Sequence, residues 1–313
     1  MTNLSNDDRL RNFSRFVYVH PIYREAMEKV KDSISQTNST GECLSAVLTG
    51  STGTGKTTII KTLMHSYTVD SVSIEREDAI VKQVPAYHCV VPADATIKSL
   101  AIEMLKHLDC GDTGGSATEL TKRVSRLIST CETKVIFLDE FQHLLSKGAK
   151  NSKDSVTDWV KILTETTKTP VIISGMSECE ELIDAHPQLS GRYPVRAKLT
   201  NISYAKNKYR YLSKVIDALS NACVEHAKVN SMPQLSQPPN LTAIYLATGG
   251  NMRSIRQMFT SALYRALKND RDDVILEDFI EAVQGMRLNF RLTDENPFNL
   301  SAAEQEKILI RVS

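Results

Sequence analysis

Gly50-Ser-Thr-Gly-Thr-Gly-Lys56-Thr57 is the stretch on which the reading of the whole chain turns. It has the full G-x-x-x-x-G-K-[ST] spacing of a phosphate loop. The apolar run Leu44-Ser-Ala-Val-Leu-Thr49 precedes it and Thr58-Ile-Ile-Lys-Thr-Leu-Met64 follows it, which gives the strand–loop–helix context the motif needs. Glycines let consecutive backbone N–H groups turn toward a di- or triphosphate, and the helix that follows points the positive end of its dipole at the same charge. Gly50, Ser51, Thr52, Gly53, Thr54, Gly55, Lys56, Thr57 and Thr58 are therefore the expected nucleotide contacts. Lys56 supplies a mobile cation near the β and γ phosphates, and Thr57 a hydroxyl for Mg²⁺.

Further along, Lys134-Val-Ile-Phe-Leu-Asp139-Glu140-Phe-Gln142-His143 is an apolar strand that ends in two adjacent carboxylates. A central parallel strand reads as a continuous apolar run, and ligands bind beyond the carboxyl ends of such strands. Asp139 is thereby placed to share the Mg²⁺ site with Thr57, and Glu140 to orient and deprotonate an attacking water. A dedicated base for water favours ATP hydrolysis over phosphoryl transfer to a second small substrate.

The 313 residues, 41% apolar and 24% charged with a formal net charge of +1, have the balance of a globular chain with room for one large or two modest domains. No apolar span or signal segment is evident, and the polar N-terminus predicts a cytoplasmic protein with no membrane partner. Six scattered cysteines without a C-x-x-C pair are read as reduced structural thiols. Near-zero net charge leaves nucleic-acid binding to a local basic face.

Helical patterning covers Asp7–Ile34 with a break at His20-Pro21, and a polar linker leads to the first strand. A second strand is expected at Tyr87–Val91, helices at Thr96–Leu108 and about Ala117–Cys131, then the acidic strand and another strand over Thr169–Gly175. From about Asn201 only helices are expected: Lys206–His226, Asn240–Thr248, Met252–Asn269 and Leu276–Gln284. The fold class that follows is α/β, a doubly wound parallel sheet with a C-terminal all-helical lid. The expected boundaries are 1–36 for an N-terminal helical extension, 37–200 for the nucleotide-binding core, 201–285 for the lid and 286–313 for a tail.

Phosphate loop, acidic strand, a strand ending in a small polar residue and a helical lid, in this order, resemble the AAA+ class of P-loop ATPases. The resemblance implies three further roles. Ser174 matches sensor 1, which hydrogen-bonds the attacking water or the γ-phosphate. Leu189-Ser-Gly-Arg192-Tyr-Pro-Val-Arg196 resembles the segment carrying an arginine finger for a neighbouring subunit, with Arg192 the first choice and Arg196 the second. Thr248-Gly-Gly-Asn-Met-Arg253 looks like sensor 2, with Arg253 reaching the γ-phosphate.

Within that class the chain resembles the TniB/TnsC regulators of heteromeric DNA transposons, including CRISPR-associated ones. The resemblance rests on Tyr18-Val-His-Pro-Ile-Tyr23, the phosphate loop, Pro92–Leu100, Leu138-Asp-Glu-Phe-Gln-His-Leu144, Gly175 and Asn296-Pro-Phe298. It implies an ATP- and Mg²⁺-dependent homo-oligomer on duplex DNA, a ring or helical filament with six or seven subunits per turn. Its implied partners are a transposase and a TniQ-like target-selection protein, in some systems on a CRISPR effector. The candidate phosphate contacts on DNA are Lys98, in a helix, and Lys147, Lys150 and Lys153, in a loop after the acidic strand; an oligomer multiplies such contacts without base readout. The rival readings are a replication-initiator-like or clamp-loader-like remodeller, and a DNA scaffold switched by ATP binding with slow turnover.

Overall fold

Three runs in which all five residues are buried, Ala46–Gly50 (β1), Val135–Asp139 (β5) and Val171–Gly175 (β6), form the middle of a parallel sheet. Successive side chains of a strand point to opposite faces, so uninterrupted burial means that both faces of the sheet are covered. The structure is a computed structural model and describes residues 4–68, 73–76, 79–93, 95–145, 153–204 and 209–312. The chain divides into two units: Ile22–Leu199, and Met1–Pro21 together with Thr200–Ser313.

In chain order, α1 (Asn6–Arg15) and α2 (Pro21–Thr40) precede β1, and α3 (Lys56–Thr68) follows the phosphate loop. Then come an antiparallel pair, β2 (Ser73–Arg76) and β3 (Ala79–Lys82), the strand β4 (Ala86–Val90), and helices α4 (Ile97–His107) and α5 (Ala117–Thr130). After β5 and a 3₁₀ turn at Phe141–Leu144, α6 (Lys153–Thr167) leads into β6; α7 (Ser177–Asp184), α8 (Pro187–Ser190) and β7 (Val195–Leu199) complete the unit. The five-stranded sheet has the order β4-β5-β6-β1-β7, every pairing parallel. Capping boxes start two of its helices, Thr96 with Ser99 at α4 and Ser116 with Glu119 at α5; each satisfies N–H groups that the helix itself leaves unpaired. Val47, Ile136, Leu138 and Ile173 pack with Leu100, Met104, Val124, Ile128, Trp159 and Leu163 of α4, α5 and α6 in one core. Trp159 is buried, its Nε1–H donating to Thr121 Oγ1.

The other unit is helical: α1 with α9 (Tyr209–Ala227), α10 (Asn240–Thr248), α11 (Met252–Lys268), α12 (Leu276–Gln284) and α13 (Ala302–Val312). Its core joins Phe13 of α1 to Leu212, Ile216, Leu219, Met258, Phe259 and Phe279. Two arginines close helix ends: Arg256 donates to the carbonyls of Phe13, Ser14 and Phe16 after α1, and Arg9 to those of Ala227 and Lys228 after α9. The last carbonyls of a helix lack the full set of intrahelical partners, and these arginines supply donors to them.

The doubly wound sheet and the C-terminal helices agree with the expected fold class. The N-terminal helical segment is divided between the units, α1 joining the C-terminal helices and α2 from Ile22 onward the sheet. The β2–β3 pair, α6, α7, α8, β7 and α13 have no counterpart in the sequence reading. Two placements are corrected: the polar linker expected over residues 35–41 is the end of α2, which runs to Thr40, and Lys153 is the first residue of α6 rather than part of a loop. Lys147 and Lys150 lie outside the described residues.

Candidate nucleotide site

Register brings the acidic strand, the sensor strand and the phosphate loop to one edge. Leu138 pairs with Ile173, so Asp139 and Ser174 are level on adjacent strands, and Leu48 of β1 pairs with Ser174 on the other side. Gly50 closes β1, and the loop turns through Gly53 and Gly55, both at positive φ (82° and 110°), into α3. Tyr23 of α2 lies under this turn, its ring 3.6 Å from the point a side chain on Gly55 would occupy and its hydroxyl 3.1 Å from Thr62 Oγ1.

Asp139 is the centre of the arrangement. It is 1% exposed, and its two oxygens accept from three donors: Thr57 Oγ1 on Oδ2 at 2.7 Å, Ser174 Oγ on Oδ1 at 2.7 Å and the Glu140 N–H on Oδ1 at 3.0 Å. A buried carboxylate is tolerated only with such compensation. Thr57, Asp139 and Ser174, drawn from three separated segments of sequence, are thus one hydrogen-bonded cluster. Lys56, 6% exposed, donates through Nζ to the carbonyls of Gly50 at 2.7 Å and Ser51 at 3.2 Å, which holds the ammonium inside the loop.

Glu140 adopts the left-handed conformation, φ 55° and ψ 35°, at the start of the 3₁₀ turn. For a side chain other than glycine this costs about 1 kcal/mol or more, and such outliers concentrate at functional sites. Its carboxylate does not cap the turn; Oε2 instead accepts from Gln142 Nε2 at 2.5 Å. His88 of β4 places Nε2 3.9 Å from Asp139 Oδ2, and burial pushes its imidazole below the ordinary pKa against the opposing pull of Asp139. These two residues were not assigned roles by sequence reasoning. Gln142 stands inside the quoted acidic motif; His88 gave no signal beyond its strand.

The remaining candidates lie elsewhere. Val195 of β7 pairs with Ala46, and the Arg192 carbonyl accepts from the Ser45 N–H, so Arg192 is at the edge where the strands begin, opposite the phosphate loop. Its side chain is 38% exposed, and its guanidinium pairs with Glu165 of α6. Arg196 is tied into its own chain, to Asp184 at 2.7 Å and Glu180 at 3.9 Å, and Glu180 also accepts from Thr49 Oγ1 beside the loop. Of the two, Arg192 is the less confined. Arg253 is exposed on the first turn of α11, in the helical unit. Lys98 and Lys153 are exposed near the starts of α4 and α6.

The sheet order, the loop after β1 and the acidic end of β5 are those of the AAA+ P-loop fold, and the comparisons agree on the fold. Similar solved structures include Cdc6p of Pyrobaculum aerophilum, with TM-score 0.61 and 14% identity over 87% of this chain and 69% of that one. ORC2 of Aeropyrum pernix, in its ADPNP–ADP complexes, gives 0.60 and 16% over 93% and 75%. ORC1 of the same organism, in complex with DNA, gives 0.56 and 17% over 89% and 68%. Within the class, the chain belongs to the TniB family: the model for bacterial TniB protein matches residues 12–201. Among curated proteins none matches the chain. Among the described residues no helix is long and apolar enough to cross a membrane.

Proposed function

We propose that this protein binds and hydrolyses ATP as a regulator of DNA transposition, assembling with ATP on duplex target DNA and linking a target-site selector to a transposase. Membership of the TniB family supports the biological setting, and the observation that carries the chemistry is the convergence of Thr57, Asp139 and Ser174 beside the phosphate loop.

The loop N–H groups and Lys56 bind the β and γ phosphates, which requires Lys56 to exchange its two loop carbonyls for phosphate oxygens. Thr57 and Asp139 would hold Mg²⁺. A hydroxyl and a carboxylate oxygen 2.7 Å apart are the hard donors that ion takes, and when bound it neutralises charge on the phosphates. Ser174 keeps Asp139 oriented from the far side and contributes to positioning the water. Glu140 takes the proton of that water. Arg192 completes a neighbouring subunit's site, and Arg253 keeps the sensor-2 role that the resemblance implies.

Two variants measured side by side test the chemistry. Lys56→Ala abolishes ATP binding and assembly, whereas Glu140→Gln binds ATP, loses turnover and accumulates in the assembled state. A Glu140→Gln protein that hydrolyses ATP at the parental rate refutes the assignment of the base. Single-turnover hydrolysis with and without duplex DNA then separates an ATPase from a scaffold that only binds.

A further inference from the structure

The acidic motif contains a residue that the reaction scheme leaves unused. Gln142 bridges two parts of the site with the two ends of one amide. Its Oε1 accepts from the Met176 N–H at 3.2 Å, immediately beyond β6, and its Nε2 donates to Glu140 Oε2 at 2.5 Å. The backbone around it is shaped to admit that amide. A Cβ on Gly175 would come within 2.5 Å of Gln142 Oε1 and equally close to Cys179 Sγ, so only glycine leaves the bridge its room. Glu140 has a left-handed backbone and no capping bond, which leaves Gln142 as the side chain that orients its carboxylate in the described structure.

We propose that Gln142 is the positioning residue of Glu140: it fixes the carboxylate relative to the end of the sensor strand, so that Asp139, Ser174 and Glu140 are held as one unit. The inference rests on the reading of Glu140 as the base for water. Asp139 is bonded to β6 through Ser174, and Glu140 through Gln142 to Met176 two residues further on, so the two adjacent carboxylates are referenced to one short stretch at the end of that strand. A base that must meet a water in line with phosphorus gains from such a tether, because misplacement by about 1 Å costs on the order of 100-fold in rate. An amide fits the task where a charged group would not. It donates to one oxygen of Glu140 while its own acceptor is filled by a backbone N–H.

The test compares Gln142→Met, which keeps length and bulk without either hydrogen bond, with Gln142→Ala. For each, steady-state kcat and KM for ATP are measured, together with the affinity for a fluorescent ATP analogue as a check on the fold. Both variants are expected to lower kcat about 10- to 100-fold with KM and analogue affinity within about threefold of the parent. In a Glu140→Gln background, where the small residual rate is read under single-turnover conditions with excess protein, Gln142→Met adds no further loss, because the residue acts through Glu140. A Gln142→Met protein that turns over at the parental rate, while Glu140→Gln is inactive, overturns the inference and leaves the base in place. Equal loss from Gln142→Met with Glu140 present or replaced overturns it as well. Full activity of Glu140→Gln would instead overturn the underlying reading of the site.

Discussion

Ser174→Ala is the sharpest probe of the cluster, because it removes one oxygen from a place where nothing replaces it. Ser174 is fully buried and Asp139 is 1% exposed, and the methyl left by the substitution offers Asp139 Oδ1 no donor. Asp139 retains Thr57 on Oδ2 and the Glu140 N–H on Oδ1, and loses the 2.7 Å donor that fixes Oδ1 from β6. A hydrogen bond to a charged group contributes about 1.5–3 kcal/mol. That bond is already made in the free protein, so its loss costs about 2 kcal/mol of stability, and kcat falls through the misorientation of Asp139, by about 10- to 100-fold. The same loss lowers the thermal midpoint of the sheet unit by about 4–8 °C, at about 2–4 °C per kcal/mol for a unit of this size. Steady-state ATPase assays and thermal unfolding of the same preparation give both numbers, with KM expected within a few-fold of the parent. Ser174→Thr, which keeps the hydroxyl, is expected to recover most of the rate. Parental kcat in Ser174→Ala, or a loss that Ser174→Thr does not restore, refutes the argument that the hydroxyl orients Asp139.

Arg192→Ala is expected to lower hydrolysis per subunit and weaken the ATP-dependent assembly; mixing it with Glu140→Gln subunits should restore part of the activity, and no rescue in demonstrably mixed assemblies argues against a residue acting in trans. Replacing Lys98, or Lys147, Lys150 and Lys153 together, by Ala should weaken DNA binding about equally on unrelated duplexes and flatten the dependence of log affinity on log salt, with ATP binding retained. Binding that differs by orders of magnitude between unrelated duplexes favours a sequence-reading initiator instead. In the helical unit, Gly250→Ala should cost about 2–4 kcal/mol in denaturant unfolding, since φ is +68° and the added Cβ would fall 1.9 Å from the Ile202 carbonyl oxygen. Burial pushes the His20 imidazole down to about 4 from the ordinary 6.5. The unfolded chain therefore takes up that proton first, so stability from His20 is complete above pH 6.5 and is lost as pH falls toward 4. His20→Gln should flatten that limb of the stability–pH curve.

The parts of the site that could be read from sequence are those whose chemistry is packed into a contiguous motif. Gly50–Thr57 specifies its own loop, and the apolar run before Asp139 specifies a central strand with its carboxylates at the ligand-binding edge. Ser174 was legible only through the resemblance, since a serine at a strand end has many uses; its bond to Asp139 depends on the register of β5 and β6, which no local pattern encodes. The β7 strand was missed because Val195-Arg-Ala-Lys-Leu199 is an edge strand, where only Ala197 and Leu199 are buried and the pattern is too short to declare itself. The α6 helix was missed because Lys153–Thr167 carries four threonines, which favour strands and turns in isolation, whereas here Thr157, Thr164 and Thr167 return their hydroxyls to carbonyls one turn back and Trp159 and Leu163 anchor the helix to the core.

Gln142 marks a different boundary. Its residue type and position were plain in the acidic motif, and its spacing from Glu140 is fixed by sequence. What sequence lacks is the pairing of its carbonyl with the Met176 N–H across the sheet edge, and with it the reason Gly175 cannot carry a side chain. The same holds for the two arginines after α8. Both stand in the segment that resembles an arginine finger, yet Arg196 is bound to α7 on two carboxylates, one of which also holds Thr49 beside the phosphate loop, while Arg192 makes a single, half-exposed pair with Glu165. Freeing Arg196 for a neighbour would cost the chain two ion pairs, whereas freeing Arg192 would cost one; partly exposed pairs of this kind contribute about 0–1 kcal/mol each. The difference is in keeping with the proposal that Arg192, rather than Arg196, serves a neighbouring subunit.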